Sequence, residues 1–567
     1  MEKTIAPSPR AGLEFVDFGA VGLYLLVTAG IVIWSSRRQQ STEEYFLGGR
    51  RMPWMAVGLS LLATLMSSIS YMGVPGEMVS NGATMCLQYL ALPFSMSVVL
   101  LVWVPFFMRL RVTSAYEYLE QRFDYRARLL GGFLFLFMRL GWMSMVMYVG
   151  SLALSQMTVT LVPQDRIDPL VSWLNPGQTA LLRETLLYWV IAAVGVSATI
   201  YACIGGFRAA IWNDVLQSLM FLGGTLVTLG YVVLTTGTGP IEWWRIASES
   251  APGHMRPVWF SLDPTVRMTV FTAALLSFFW TICTHGADQV VLQRYFSTTS
   301  LSSARRSYIV NAITDLLIGS LLATSGLALL AFYTLNPTYL PAEILSTVDG
   351  RLVVKHGDRV LPYFFAHQLP AGIGGVVLAV LLCDAMQTLV SGVNSISAVF
   401  TNDIFERLFP SGRQWMSDLT LAKLLTTGVG LLVTGLGIGV AYFARNSGRN
   451  IIDMMAPAFN MFLGPLASLF LIGMFLKCRT NSALTGALCG MAISFVWSYW
   501  RDLFGTTYQP SITLTTAVPY LASYAIAALV SCLESKDTNF PGLAYTWSAV
   551  MRTPERPATS NELENQN

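Results

Sequence analysis

Charge is the scarcest commodity in this sequence. Asp, Glu, Lys and Arg together make up 12% of the 567 residues, about half the ~25% of an ordinary soluble domain. The net charge of +3 is small and scattered, which leaves no electrostatic footprint for nucleic acid. Cysteine is sparse too. Cys86, Cys203, Cys283, Cys383, Cys478, Cys489 and Cys532 lie singly in or beside apolar runs. With no CxxC and no Cys/His cluster, neither a structural metal centre nor a disulfide framework is indicated. Long polar stretches are also missing. The longest loops, about 237–267 and 336–369, mix charges with Pro and Gly and hold no soluble domain. No obligatory protein partner is evident.

What the chain has instead is apolar sequence, with 54% hydrophobic residues and a mean hydropathy of +0.54. A bilayer crossing takes about 20 apolar residues. Runs of that kind fall at 15–34, 53–72, 84–108, 129–158, 184–205, 208–236, 268–292, 307–335, 370–400, 419–444, 451–476, 480–500 and 517–534. The expectation is therefore an all-α polytopic membrane protein of about thirteen transmembrane helices. The first run is of full span length and lacks a small-residue cleavage site, so it reads as a helix and not a signal peptide. Lys and Arg concentrate on one set of loops, around Arg37, Arg50, Arg109, Arg128, Arg305 and Lys477. The positive-inside rule then puts the N-terminus outside and the C-terminal tail in the cytoplasm of a cell membrane. The tail after Ser535 is polar and contains Pro, and is expected to be disordered. Trp34, Trp54, Trp243, Trp244 and Trp500 near span ends form the usual interfacial belt.

Three spans carry polar interruptions. The second turns polar at Ser67, Ser68 and Ser70, with Gly73, Pro75 and Gly76 close behind. A helix broken inside a bilayer needs its freed backbone groups satisfied by protein or a water-filled cavity, and such breaks build ion and solute sites in many secondary transporters. The bland alternative is that small residues ease helix packing. The seventh span is polar over Thr284-His285-Gly-Ala-Asp288-Gln289. The ninth opens on Gly372-Ile-Gly-Gly375 and carries Asp384, Gln387, Thr388, Ser391, Asn394, Ser395 and Ser397. Spans two and seven lie five helices apart, the offset of two inverted five-helix repeats, each led by a broken helix.

In span two, Ala63, Met66/Ser67 and Ser70 share one helix face, and in span nine Asp384, Gln387/Thr388, Ser391 and Ser395 do likewise. Hard cations take oxygen ligands, which freed carbonyls of span two and the polar face of span nine would supply. A carboxylate at membrane depth is costly and marks a functional site by default. That applies to Asp384 and to Asp214, although Asp214 would also serve as an interfacial acid beside Arg208. Asp288 and Asp315 lie nearer span ends. Arg139 and Arg294 are candidate partners, and an ion pair is the expectation for Asp315. His285 reads equally as a gating or substrate residue and as a hydrogen-bonded packing residue.

Five motifs follow one another in register. They are Glu43-Glu-Tyr-Phe-Leu-Gly-Gly-Arg50, Met66-Ser-Ser-Ile-Ser-Tyr-Met-Gly-Val-Pro-Gly-Glu77, Gly205-Gly-Phe-Arg-Ala-Ala-Ile-Trp-Asn-Asp-Val-Leu-Gln217, Asp288-Gln-Val-Val-Leu-Gln-Arg294 and Ser391-Gly-Val-Asn-Ser-Ile-Ser-Ala-Val-Phe-Thr-Asn-Asp-Ile-Phe405. Through them the chain resembles the sodium/solute symporter family over nearly its whole length. The second motif is most like the branch carrying iodide, vitamins and monocarboxylates. The resemblance implies a LeuT-type fold of two inverted repeats, at 53–236 and 268–476, with one extra helix before them. Residues 1–52 would then be an outer N-terminus, first helix and cytoplasmic loop, 237–267 an outer loop, 477–534 two further helices and 535–567 the tail.

It also implies a sodium-coupled symporter of a small polar organic solute (sugar, carboxylate, vitamin or amino acid) working by alternating access. The common sodium site falls on carbonyls of Ala63 and Met66 and on Asp384, Gln387 and Thr388. Only Thr388 agrees with the usual residue type. Gln387 would offer an amide oxygen and Asp384 a carboxylate that also admits proton coupling. Asp214 falls on a position linked in some members to a second sodium or to coupling. Substrate contacts would fall on Ser67, Ser70, Tyr71, Gln88, Thr284 and His285. A proton-coupled or uncoupled carrier and a non-transporting sensor are the alternatives. An enzyme built on His285 and Asp288 would need a nucleophile that the sequence does not nominate.

Overall fold

The computed structural model describes residues 15–552, apart from 162–175, 251–254, 264–265, 340–344, 349–350, 355–356, 406–417, 448–450, 507–509, 535–540 and a few single positions. Residues 1–14 and the last fifteen of the expected tail, 553–567, lie outside it. The main helices are α1 (Phe15–Ser36), α2 (Trp54–Leu65), α3 (Ser68–Asn81), α4 (Met85–Leu110), α5 (Tyr125–Leu161), α6 (Pro176–Thr236) and α7 (Val270–Ala287). They continue as α8 (Gln289–Phe296), α9 (Leu301–Leu335), α10 (Ile373–Val399), α11 (Asp418–Ser447), α12 (Ile451–Phe475), α13 (Thr480–Ser498) and α14 (Ala517–Leu533). Every apolar run read from the sequence overlaps one of these helices. Among the described residues, eight helices are long and apolar enough to cross a membrane, or nine when α2 and α3 count as one bent span.

The chain is not wholly helical. A small antiparallel hairpin pairs Leu345–Val348 with Arg351–Val354, Leu345 facing Val354. It lies in one of the long loops, outside the apolar runs. Part of the expected disordered tail is folded as well, since Trp547–Arg552 is helical. Trp547 stacks on Phe475 at 6.1 Å, and Val550 is buried. An apolar aromatic pair is enough to hold a short helix against the bundle.

Two breaks and one sharp turn shape the bundle. α2 ends at Leu65; Met66 (ψ 120°) and Ser67 (ψ 171°) are extended, and α3 leaves at 61° to α2. The break therefore sits at the serines, whose hydroxyls compete with helical backbone bonding. Pro75 lies inside α3, not at the break. α7 and α8 meet at Asp288, whose carboxylate caps α8 by accepting the Val290 amide at 3.0 Å. α6 is a single run of 61 residues, several times the length a bilayer needs. It is kinked at Gly206, where φ is 56° and ψ −162°, a region that is essentially glycine-only.

The ninth apolar run differs from expectation. α10 is unbroken, and its glycines stand at its start, where α1 passes against it. A Cβ on Gly375 would lie 2.2 Å from the Asp17 carbonyl oxygen, so only glycine permits that approach. The polar residues of α10 do not interrupt it because α6 packs along it and supplies their partners.

Candidate ion and substrate site

The last four carbonyls of a helix have no intrahelical donor. At the end of α2 these belong to Leu62–Leu65, and Met66 N–H satisfies the Leu62 oxygen at 2.8 Å. The carbonyls from Ala63 onward are thus released at the break. Ala63 and Thr64 line a small cleft together with Arg139, Asp214, Val290, Gln387, Thr388 and Ser391. The Thr388 hydroxyl is buried there with no hydrogen-bond partner among the described residues, a state a buried polar atom seldom keeps without a ligand or water. The Ser67 hydroxyl, at the head of α3, is likewise buried and unpartnered.

Behind the cleft lies a dense polar network. Arg294 donates to Asp214 Oδ2 at 2.7 Å, to Ser60 Oγ at 2.8 Å and to Ser391 Oγ at 3.0 Å. Ser60 also donates to Asp214. Gln387 Nε2 donates to Asp214 Oδ1 and contacts Ala210 O at 3.0 Å and Ser391 Oγ at 3.1 Å. Its Oε1 accepts the Asn213 amide at 2.9 Å. Arg139 forms a second buried ion pair with Asp288. A buried charge is tolerable when paired and hydrogen-bonded, and both pairs meet that condition.

Several expectations about individual residues change here. Gln387 lines the cleft, but its oxygen is turned to Asn213 and its nitrogen to Asp214, so it presents a donor where an acceptor was expected. Asp214 lines the cleft with its two oxygens taken by Arg294, Ser60 and Gln387. The Asp384 carboxylate accepts the Gln217 amide at 2.7 Å and, like Met66, is not among the residues lining the cleft. Gln88 lines a different cleft with Glu77, Tyr89 and Gly319. His285 is buried, with Nδ1 2.6 Å from the Tyr295 hydroxyl and its ring edge-on to Tyr308 at 4.9 Å. Thr284 bonds back to the Trp280 carbonyl at 2.8 Å. Asp315 has no ion-pair partner among the described residues. Tyr71 stacks on Phe221 with ring centroids 5.0 Å apart, and Ser70 is half-buried near the head of α3.

Sequence reasoning missed Ser60. Its signal was spacing, since Ser60, Ala63/Thr64 and Ser67 fall on one face at i, i+3/i+4 and i+7.

A polar latch closes one end of the same helices. Asp403, just past α10, accepts Ser114 Oγ at 2.5 Å and Arg128 Nε at 2.7 Å. Gln289, at the α7–α8 break, accepts the Ala115 amide at 2.8 Å and donates to the Thr113 carbonyl at 3.0 Å. Tyr116 donates to Ala287 O at 3.0 Å.

Broken helices paired with an unbroken polar one, around buried oxygens, are shared with known carriers. Residues 45–161 and 179–494 match the sodium:solute symporter family. The chain belongs to that family. It is 28% identical to the sodium/sialic acid symporter NanT of Aliivibrio fischeri over 481 residues, covering 84% of this chain and 86% of the relative. It is equally 28% identical to the human sodium/iodide cotransporter over 525 residues, 91% of this chain and 74% of the relative. A solved sodium-coupled sialic acid symporter, substrate-bound and outward-open, matches with a TM-score of 0.73 at 25% identity, covering 92% of this chain and 98% of its own. The fold is LeuT-type, and this sodium:solute symporter is a multi-pass membrane carrier that couples solute movement to sodium.

Proposed function

We propose that this symporter carries a small carboxylate, with sodium bound between the released carbonyls of the α2–α3 break and the hydroxyl of Thr388. The observation that carries the reading is the buried, unpartnered Thr388 hydroxyl in one cleft with Ala63. Oxygen donors of that kind suit a hard cation. The carboxylate reading rests on the head of α3. Its first amides have no intrahelical acceptor and carry the positive end of the helix dipole, and the Ser67 hydroxyl beside them has no partner. A carboxylate is the group such an arrangement stabilises. Relatives named for sialic acid and for monocarboxylates carry substrates of that class. The membrane is the cell membrane, with the N-terminus outside, and the two repeats span 53–236 and 268–476.

Uptake of labelled sialate, lactate and nicotinate into proteoliposomes tests this. An inward sodium gradient is expected to drive at least one of them. Thr388→Ala is expected to raise the half-saturating sodium concentration about tenfold, a loss of about 1.4 kcal/mol. Uptake that is indifferent to sodium, or a Thr388→Ala variant with unchanged sodium dependence, overturns the reading.

A further inference from the structure

We infer that the side-chain amide of Gln387 stands in the place of a cation beside Asp214, so that this carrier binds one sodium ion per cycle and not two. The inference rests on the proposed sodium site at Thr388, and adds that the neighbouring oxygen cluster is closed to a second ion.

The cluster has the composition a hard cation selects, namely a carboxylate, a backbone carbonyl and a hydroxyl. Asp214 Oδ1, Ala210 O at 3.0 Å and Ser391 Oγ at 3.1 Å all converge on one atom. That atom is Gln387 Nε2, which brings N–H groups and no lone pair. The amide is oriented by its neighbours, since its nitrogen faces the acceptors Asp214 Oδ1 and Ala210 O while its oxygen accepts Asn213 Nδ2 at 2.9 Å. Flipping it would set oxygen against the Asp214 carboxylate and leave the Asn213 donor unmet. A buried donor left unmet costs about 1–3 kcal/mol.

The other carboxylate oxygen is no more available. Asp214 Oδ2 takes Arg294 at 2.7 Å and also Ser60. Both residues of the ion pair are fully buried, so the positive charge that Asp214 calls for is already supplied by the protein. Gln387 is therefore a specificity-determining residue for ion stoichiometry. It fills the oxygen cluster with a tethered, immobile donor, next to a site one residue along the helix where the Thr388 hydroxyl is left open.

The test counts radioactive sodium bound at saturation by the purified full-length protein in nanodiscs. The wild type is expected to bind about one ion per chain. Gln387→Ser, which removes the amide and leaves the cluster's oxygens, is expected to bind about two, with folding checked by melting temperature. If that variant does not purify, Gln387→Thr keeps more of the volume and is read the same way. Two ions in the wild type overturn the inference, whatever the variants do. So does an unchanged count in the folded Gln387 variant. The proposed sodium site is scored separately, by the difference between wild type and Thr388→Ala. A wild type that binds none and a Gln387→Ser variant that binds one would sink that site and leave the role of the amide standing.

Discussion

The carboxylate of Asp17, in the first turn of α1, accepts the amide of Gly375, 358 residues further along the chain, at 2.8 Å. The same oxygen accepts Gly372 N–H at 2.8 Å. The first helix thereby caps the helix that carries Thr388, which makes an element outside the proposed repeats a structural support for the ion site.

Removing that cap is expected to loosen the start of α10. An N-terminal cap of this kind contributes about 1–2 kcal/mol. Asp17→Ala should lower the melting temperature of the purified protein, and Asp17→Asn, which still accepts, should lose less. Equal losses for the two variants would mean that charge, and not capping, is what Asp17 provides.

Asp288 does two jobs, capping α8 and neutralising Arg139. Asp288→Asn keeps the first and drops the second. Leaving a buried charge unpaired costs about 3–5 kcal/mol, so Asp288→Asn should accumulate poorly. Asp288→Asn combined with Arg139→Met should recover much of the yield. A double variant as poor as the single one would place the defect at the cap.

Gly206 is the whole connection between the two arms of α6. A Cβ there would meet Tyr45 Cδ2 at 2.9 Å and Gln39 Nε2 at 3.0 Å, in a backbone conformation that disfavours any side chain. Gly206→Ala is expected to cost about 1–3 kcal/mol from strain alone. The readout is melting temperature. A Gly206→Ala variant that melts with the wild type would show that the turn carries no strain.

The docked tail predicts a further difference. Deleting residues from 541 onward removes the Trp547–Phe475 stack and the buried Val550. Thermal stability should fall by an amount that Trp547→Ala reproduces in part. A truncated protein that melts with the wild type would show that the tail adds nothing to the fold.

The apolar spans were legible because a bilayer imposes a length and a composition that survive without any knowledge of neighbours. The two breaks were legible for a related reason: Ser67–Ser70 and Thr284–Gln289 put polar groups where lipid cannot satisfy them. The polar face of α10 looked the same from the sequence, yet that helix is intact. Its residues are satisfied by a distant helix, Asp384 by Gln217 and Gln387 by Asn213, and partners separated by more than 150 residues leave no local trace. Ser60 and Asp17 were passed over on the same ground, since their partners Asp214 and Gly375 lie far along the chain. His285 drew attention as a rare polar type, but its partners Tyr295 and Tyr308 are aromatic residues that make it part of the core.

The amide lodged against Asp214 also bears on voltage. One sodium ion moving with one monovalent carboxylate transfers no net charge, so a membrane potential does no work on the cycle. A tenfold sodium gradient then supplies about 1.4 kcal/mol, which sustains about a tenfold accumulation of solute and no more. A second sodium would have added a net charge worth about 2.3 kcal/mol for each 100 mV. On the proposed stoichiometry, Gln387 would set the steepest concentration ratio the carrier can hold and make that ratio the same in a polarised and a depolarised cell.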